Sequence, residues 1–459
     1  MRSAPATGLG ARLLVPLCVG VVLNAINSTM IATALVPISR DLGVGAAATA
    51  WLVSVMYLAS AIGQPVAGRL ADQFGPRRVF LAGGVLVAVA GLVGAFGPSF
   101  AWLVAARAVV GLGTGAAYPA ALAMIRERAD PSDAPGVARA IGLLSTASLV
   151  MLTVGPPVGG VLVDSVGWRA VFAVNAPLGL LVLVLGLGYL PRSRQRSRSQ
   201  PAWRVMDVPG VLLFSGTVSL LLVVLLGLPR PPWPPAVGLV GCLVVLVLAE
   251  LRARQPFLDV RMLARNRSLL LAYLRIVCTF LVIYAVMFGL TPWLQEGRGL
   301  SASASGFLLL GMSAVGAVVA PAGARGPRLF WPLLVPAVGL LAGSLALTAL
   351  DAAAPVAVLA LVIATFGLPN GLGQVGNQLA VYRAAPADHV GAATGLSRTA
   401  QYTGAMIATS VTGLSYGDGV GDAGLHVLGW VCTAAGAVLL ASTLGDRSLY
   451  RRSVPKPVP

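Results

Sequence analysis

The chain has 459 residues, of which 57% are hydrophobic and only 10% are charged, with a mean hydropathy of +0.87 and a formal net charge of +17. Soluble domains carry about 25% charged residues, so this composition excludes a soluble enzyme, a disordered chain and a fibrous protein. It is typical of a chain that crosses a bilayer many times.

Fourteen apolar stretches follow one another along the chain, and each is long enough to cross about 30 Å of hydrocarbon as a helix. Polar connections at 191–203 and 250–267 divide them into six spans, a pair and six more. The sequence predicts an all-α polytopic membrane protein: an N-terminal six-helix bundle (1–190), cytoplasmic linkers with two extra transmembrane helices (191–267), a C-terminal six-helix bundle (268–443) and a cytoplasmic tail (444–459). The predicted spans are 12–38, 47–67, 79–97, 100–122, 138–163, 170–190, 207–229, 232–250, 268–292, 301–322, 329–350, 353–374, 390–414 and 424–443.

The basic residues follow the topology. Most of the 32 lysines and arginines lie in alternate connections, and the other connections hold only Arg40, Arg169, Arg230 and Arg298. The positive-inside rule therefore places both termini in the cytoplasm and the protein in the cell membrane. Because this bias accounts for the net charge, the lipid bilayer is the expected partner and nucleic acid is not.

The first span is too long for a cleaved signal peptide, so it is predicted to stay as the first helix. The four cysteines lie within apolar spans, with no CxxC motif and no nearby histidine. They are expected to be core residues, and neither a disulfide framework nor a metal site is predicted. These cysteines are Cys18, Cys242, Cys278 and Cys432.

The outer blocks of six spans resemble each other. IGLLSTA at 141–147 aligns with TGLSRTA at 394–400, and GLGTG at 111–115 is similar to GLPNGLG at 367–373. Chance alignment of glycine-rich apolar helices is the alternative. A parallel repeat of two bundles usually builds a transporter, with the substrate site near the midplane between the halves.

A short turn after the second span reads GRLADQFGPRR, at 68–78. Glycines permit the turn, the arginines obey the positive-inside rule, and the aspartate partly neutralises them. The spacing also resembles the GxLaDrxGrkxxxl signature of the major facilitator superfamily, which implies a gate that closes the cytoplasmic side. The equivalent turn in the second half, at 321–330, has no acidic residue. The predicted gating residues are Gly68, Arg69, Asp72, Gly75, Arg77 and Arg78, and Leu70 also matches the signature.

Three arginines fall inside predicted spans. Arg107 lies about 10 Å deep at about 1.5 Å per residue, and Gly111 follows it as in a family motif that implies a cavity residue ordering proton movement. The alternative is that Arg107 extends to the headgroups. Arg398, followed by Gln401, resembles a family arginine–glutamine pair in the thirteenth span, and Arg275 is expected to extend its guanidinium to the inner boundary.

The fifth span contains VGPPVGGVL, in which a proline and glycines permit a kink and close helix contact. A merely kinked, tightly packed helix is the plain interpretation. The stretch also resembles the GPxxGG antiporter motif of exporters, through Gly155, Pro156, Gly159 and Gly160. The WRxxFxxNxP pattern that follows resembles the fourteen-helix drug/proton antiporter branch, at Trp168, Arg169, Phe172, Asn175 and Pro177.

The first span departs from that branch. Aligned on Pro37, NSTMIATALVP at 27–37 has Ser28 where LDxTIVNVALP has an acidic residue. All 15 acidic residues of the chain are predicted at span ends or in connections. A proton carrier, however, usually needs a titratable group within the membrane. Proton coupling is thus implied by the resemblance alone. A cavity with arginines and amides but no carboxylate favours neutral or anionic substrates over lipophilic cations.

Polar side chains within spans are the candidates for substrate binding, since amides in membrane helices are costly unless paired. Hydrogen bonding between helices is the alternative for each of them. The aromatic content, 6%, is too modest to predict a stacking site. The candidates are Asn24, Asn27, Tyr57, Gln64, Gln374, Asn377 and Gln378.

Other function classes lack their motifs. The sequence has no HExxH, no Walker P-loop and no aspartate pair within a span, and Ser415 has no base near it in sequence. A channel would not need two repeated bundles with a gating turn. We therefore expect a monomeric secondary active exporter of small amphipathic, drug- or antibiotic-like molecules, driven by the proton gradient without a cofactor or metal. The alternative is a dedicated exporter of one metabolite or a facilitator uncoupled from protons.

Overall fold

The computed structural model describes residues 10–128, 134–191, 208–228, 232–252, 260–324, 329–385, 390–417 and 419–450. Within these ranges the chain is helical and contains no strand. Thirteen helices of the described chain are long and apolar enough to cross a membrane, and the 26-residue helix Val390–Ser415 occupies the remaining predicted span. The predicted all-α fold is confirmed. The helices are α1 Ala11–Leu42, α2 Ala46–Phe74, α3 Pro76–Phe96, α4 Phe100–Arg128, α5 Ala134–Val166, α6 Arg169–Tyr189, α7 Val208–Leu226, α8 Trp233–Arg252, α9 Arg267–Gly297, α10 Ala302–Gly323, α11 Phe330–Leu347, α12 Val356–Ala384, α13 Val390–Ser415 and α14 Asp422–Leu444.

Several helices run beyond the predicted apolar spans. Asp41, Glu127 and Asp164, expected in connections, lie instead in the last turns of α1, α4 and α5. A helix longer than the hydrocarbon layer reaches the headgroup region, where polar side chains are solvated, so hydropathy marks the buried part of a helix and not its ends. The connection predicted at 191–203 lies outside the described residues after Pro191. The connection predicted at 250–267 contains a short helix, Val260–Arg265, and only 253–259 lie outside the described residues.

The chain divides into two compact units, one within Met1–Gly43 and Trp51–Ser219 and the other within Val44–Ala50 and Leu220–Pro459. In the first unit α1 packs against α4 and α5, and α3 packs against α4 and α6. In the second unit α9 packs against α12 and α13, and α11 packs against α12 and α14. The same pairing of helices therefore occurs in both units, as an internal repeat requires.

A tryptophan–aspartate hydrogen bond joins the first and sixth helices of each six-helix set, α1–α6 and α9–α14. Trp168, directly before α6, donates from Nε1 to Oδ2 of Asp41 in α1 at 3.0 Å. In the second unit the donor and acceptor are exchanged, since Trp293 of α9 donates from Nε1 to Oδ1 of Asp422 in α14 at 2.8 Å. Indole N–H groups need a partner when buried, and these bonds satisfy both indoles while fixing one end of each bundle.

A buried ion pair connects α9 to the segment after α14. Both Nη1 and Nη2 of Arg275 lie 3.0 Å from Oδ2 of Asp446, and the two side chains are 1% and 3% exposed. Oδ1 of Asp446 accepts from the backbone N and the hydroxyl of Ser448 at 3.0 and 2.6 Å. The Arg275 guanidinium, expected to extend to the inner boundary, meets the segment that directly follows α14, where the chain folds back and brings a buried carboxylate to it.

Removing one partner of this pair leaves a buried charge without compensation. We expect Asp446→Ala to lower the free energy of unfolding of the purified protein by about 3–5 kcal/mol, seen as a lower midpoint of thermal unfolding. The matched control is Arg169→Ala, which removes an ion pair with Asp41 whose side chains are about half exposed and leaves the bond from Trp168 to Asp41 in place. Double-mutant cycles that add Arg275→Ala and Asp41→Ala isolate the two pair energies, and we expect the exposed pair to contribute below about 1 kcal/mol. Equal pair energies would contradict the assignment.

Candidate functional site

Arg107 lies at the centre of a polar network inside the first unit. The side chain is buried in α4; Nε donates to the carbonyl of Leu52 in α2 at 2.8 Å, and Nη1 donates to the carbonyl of Asn27 in α1 at 3.0 Å. Its Nη2 atom has no partner among the described residues. The alternative in which this arginine reaches the headgroups is therefore excluded, because the guanidinium joins three helices through backbone acceptors.

The network ends where α1 changes its helical form. A 3-10 turn at Ile31–Ala34 interrupts α1, and such tight turns inside a longer helix often mark a hinge. The carbonyls of Asn27 and Ser28 precede this turn, and Tyr57 of α2 donates its hydroxyl to the carbonyl of Ser28 at 3.3 Å. Arg107 and Tyr57 thus hold neighbouring carbonyls of α1 directly before its tight turn.

The serine in place of the family's acidic residue is buried. Its hydroxyl donates to the carbonyl of Asn24 in its own helix at 2.7 Å. Ser28 therefore adds no titratable group to the network.

The asparagines of α1 form hydrogen bonds between helices. Asn24 donates from Nδ2 to Oγ1 of Thr114 in α4 at 3.0 Å, and Asn27 donates from Nδ2 to Oδ1 of Asn175 in α6 at 2.6 Å. Asn175 in turn donates to the carbonyls of Val171 and Phe172 in its own helix. The structure therefore supports the helix-pairing interpretation for Asn24 and Asn27. A third candidate, Gln64, lies half-buried in α2, one helical turn after Ser60.

The glycines of α5 bring that helix against the tight turn of α1. A Cβ atom at Gly155 would lie 1.8 Å from Oγ1 of Thr29, and one at Gly159 would lie 2.3 Å from the carbonyl oxygen of Met30. Pro156 and Gly160 are buried beside them. Only glycine permits this approach, so the motif creates a smooth surface where α1 changes its helical form.

The WRxxFxxNxP pattern links three helices of the first unit. Trp168 binds Asp41, and the guanidinium of Arg169 lies 4.2 Å from the centre of the Trp168 ring and 3.2 Å from the same carboxylate. Phe172 fills the space beside Gly94 of α3, where a Cβ would lie 2.2 Å from the ring. The pattern therefore has a packing role in addition to whatever role it has in transport.

The gating motif forms the end of α2 and the turn into α3. Gly75 has φ +92°, which strongly favours glycine, and Pro76 begins α3. Arg77 donates from Nη2 to the carbonyl of Leu187 in the last turn of α6 at 3.0 Å, as a cation at a helix C-terminus should. Gly68 and Arg69 are half-buried and Arg78 is exposed, and the side chain of Asp72 lies outside what the structure describes.

In the second unit the predicted polar residues lie on α12 and α13. Asn377 is buried and donates to Oγ1 of Thr279 in α9 over a long 3.5 Å distance. Arg398 is half-buried and donates from Nη1 to Oε1 of Gln401 at 3.2 Å. Gln374 and Gln378 are half-buried on α12, so these side chains present amides and a guanidinium but no carboxylate.

An aromatic row on α9 was not predicted from the overall aromatic content. The rings of Phe280, Tyr284 and Phe288 follow one another with centroid distances of 5.9 and 5.6 Å, and the second pair is parallel within 6°. All three are buried. Their spacing of four residues in FLVIYAVMF is the signal that could have identified them, because such residues share a helical face.

Comparison with known proteins identifies the family of this chain. The family model of the Major Facilitator Superfamily matches residues 17–409. The MFS-type transporter YwoD of Bacillus subtilis is 31% identical, over 94% of this chain and 96% of its own. The tetracenomycin C resistance and export protein of Streptomyces glaucescens is 33% identical, over 91% of this chain and 78% of its own. The multidrug resistance protein Stp of Mycobacterium tuberculosis is 31% identical, over 86% and 73%.

Solved structures have the same fold at low sequence identity. A POT family transporter in complex with 5-aminolevulinic acid covers 96% of this chain and 98% of its own, with a TM-score of 0.69 and 16% identity. The inward-open xylose transporter XylE of E. coli matches with a TM-score of 0.64 and 15% identity. Together with the family model, these matches show that the chain is a multi-pass transporter that belongs to the Major Facilitator Superfamily.

Proposed function

We propose that this protein exports small, amphipathic drug- or antibiotic-like molecules across the cell membrane by alternating access, in exchange for protons. Both termini lie in the cytoplasm, the working unit is a monomer, and no cofactor takes part. The observation that carries the proposal is the hinge in α1, where a 3-10 turn packs against the glycine surface of α5.

The surroundings of this hinge suit a moving helix. On one side Arg107 and Tyr57 hold the carbonyls of Asn27 and Ser28 through hydrogen bonds. On the other side α1 meets Gly155 and Gly159, which have no side chains to interlock with it. A helix that is held by a few polar bonds and faces a smooth surface can take two packed positions, as alternating access requires.

Relatives support export as the direction of transport. The tetracenomycin C resistance and export protein and the multidrug resistance protein Stp are each at least 31% identical to this chain. The first name refers to resistance to and export of tetracenomycin C, and the second refers to multidrug resistance. Tetracenomycin C is therefore the first substrate to test.

Proton exchange needs a titratable group, and Ser28 does not supply one. In our proposal Arg107 tunes the coupling by holding α1 at the hinge, and Asp72 of the gating turn is the carboxylate to test first.

We expect wild-type protein in proteoliposomes with an internal pH dye to move protons when tetracenomycin C or unrelated neutral and anionic antimicrobials are added. Arg107→Ala removes two hydrogen bonds to α1 and α2, so we expect proton flux to fall at least about tenfold, the effect of about 1.4 kcal/mol. Asp72→Asn is measured beside it, and Arg126→Ala, an exposed arginine in the last turn of α4, is the control.

The same assay identifies the competing functions. Substrate transport without proton flux would contradict antiport and indicate a facilitator. Competition only among close analogues would indicate a dedicated exporter of one metabolite.

The glycine contact gives a separate prediction. We expect Gly159→Ala to reduce export strongly, because its Cβ would meet the backbone of α1, whereas Gly142→Ala in the same helix meets nothing within 4 Å of the added atom. Both changes raise helix propensity equally, so export rates of the two variants in everted vesicles isolate the contact. Equal export by both variants would contradict the role of the hinge.

A further inference from the structure

A cavity opens at the membrane boundary where α9 begins and α14 ends. Its volume is about 560 Å³, and its wall contains Arg267 and Ser268 of α9 together with Arg447 and Ser448 from the segment after α14. All four residues belong to the second unit. The residues that the proposed transport mechanism uses do not line this space. We call it the boundary cavity.

The two arginines of the boundary cavity carry charge that the described part of the chain does not neutralise. The guanidinium groups of Arg267 and Arg447 form no hydrogen bond or ion pair with any described residue. Asp446 also lines the cavity, but its Oδ2 is bound by Arg275 and its Oδ1 accepts from Ser448. Because that carboxylate is already compensated, the described wall of the cavity keeps two positive charges in excess.

Both walls of the boundary cavity are held in place by contacts outside it. Asn266, directly before α9, accepts at Oδ1 from the backbone N of Leu269 at 3.1 Å and donates from Nδ2 to the carbonyl of Ala384 in α12 at 2.7 Å. After α14, the ring of Tyr450 stacks on that of Phe330 in α11, with centroids 4.4 Å apart. The backbone that carries each arginine is therefore positioned before a ligand arrives, which lowers the entropic cost of binding.

The boundary cavity is continuous with an apolar surface. Leu271 of α9 and Leu444 of α14 complete its wall, and Leu444 is 49% exposed. Leu270 and Leu274 of α9 are 43% and 41% exposed and lie one helical turn apart on the same face. In a helix that crosses a bilayer, exposed leucines meet lipid chains. A ligand held by the two arginines therefore has space for apolar chains beside its polar end.

We propose that the boundary cavity binds the headgroup of an anionic phospholipid, with the phosphate held by Arg267 and Arg447 and the acyl chains along the exposed leucines. A planar guanidinium fits a phosphate because it donates two parallel hydrogen bonds. Ser268 adds a hydroxyl that has no partner among the described residues. The excess positive charge favours phosphatidylglycerol over phosphatidylcholine, whose choline neutralises its phosphate. The site is independent of the substrate and the direction of transport.

Lipid binding is measured by native mass spectrometry of the purified full-length protein, titrated with dioleoyl phosphatidylglycerol or dioleoyl phosphatidylcholine. We expect wild type to retain one phosphatidylglycerol molecule at concentrations at which it retains no phosphatidylcholine. We expect Arg267→Gln and Arg447→Gln each to weaken that binding about fivefold, the equivalent of about 1 kcal/mol for one basic residue near the membrane surface. An excess of inorganic phosphate is expected not to displace the lipid, since it has no apolar chains.

The matched control is the pair Arg126→Gln and Arg128→Gln, two exposed arginines in the last turn of α4. As even-numbered spans, α4 and α14 end on the same side of the membrane. The general attraction between a basic surface and anionic lipid falls equally in both pairs of variants. We expect the retained lipid to be unaffected in the control pair, so the difference between the pairs isolates the boundary cavity.

Thermal unfolding separates loss of the site from loss of the fold. Arg267 and Arg447 are exposed, so we expect the variant that carries both substitutions to unfold, without lipid, at the same thermal midpoint as wild type. Added phosphatidylglycerol is expected to raise the midpoint of wild type more than that of the double variant, because a ligand stabilises the state that binds it.

Four results would overturn the lipid site. They are equal retention of the two lipids by wild type, equal losses in the cavity and control variants, a lower midpoint of the lipid-free double variant, and displacement of the lipid by inorganic phosphate. The last result would identify a site for free phosphate, to which the leucines contribute nothing.

Discussion

Polar groups inside a bilayer have no water to bind, and this constraint governs the structure. In the first unit, the buried polar side chains around Arg107 form hydrogen bonds to another helix or to a backbone carbonyl. Arg107 is the clearest case, because its guanidinium lies between α1, α2 and α4 and donates to two carbonyls. The same constraint makes Arg275 and Asp446 a buried pair in the second unit. Charged side chains within the spans therefore constrain how the helices pack.

Glycines determine where two helices can pack in close contact. Gly155 and Gly159 bring α5 to the tight turn of α1, and Gly371 brings the π turn of α12, at Pro369–Gly373, to α10. In both units a deviation from regular α-helix therefore coincides with a helix contact at which a Cβ does not fit. Tight and π turns inside longer helices are frequent at hinges and functional sites.

The two units use similar means with different residues. The tryptophan–aspartate bond joins the first and sixth helices in both, although the residue on each helix is exchanged. The buried arginines occupy different helices: Arg107 on α4 binds backbone oxygens, and Arg275 on α9, the counterpart of α1, binds a carboxylate and one carbonyl. A repeat can therefore keep its helix pairing while the polar groups that hold it diverge, because what must be retained is satisfaction of the groups and not their identity.

The sequence by itself determined the number and positions of the spans, because hydrocarbon thickness sets the length of an apolar stretch. It also determined the family, since turn and glycine motifs such as 68–78 and 155–160 are local. Helix ends were missed because helices continue into the headgroup region. Only the tertiary structure decided which polar residues meet: that Asn27 binds Asn175, that Asp446 returns to Arg275, and that Arg267 and Arg447 line one cavity. These pairings join residues far apart in the chain, and local spacing carries no information about a partner on another helix.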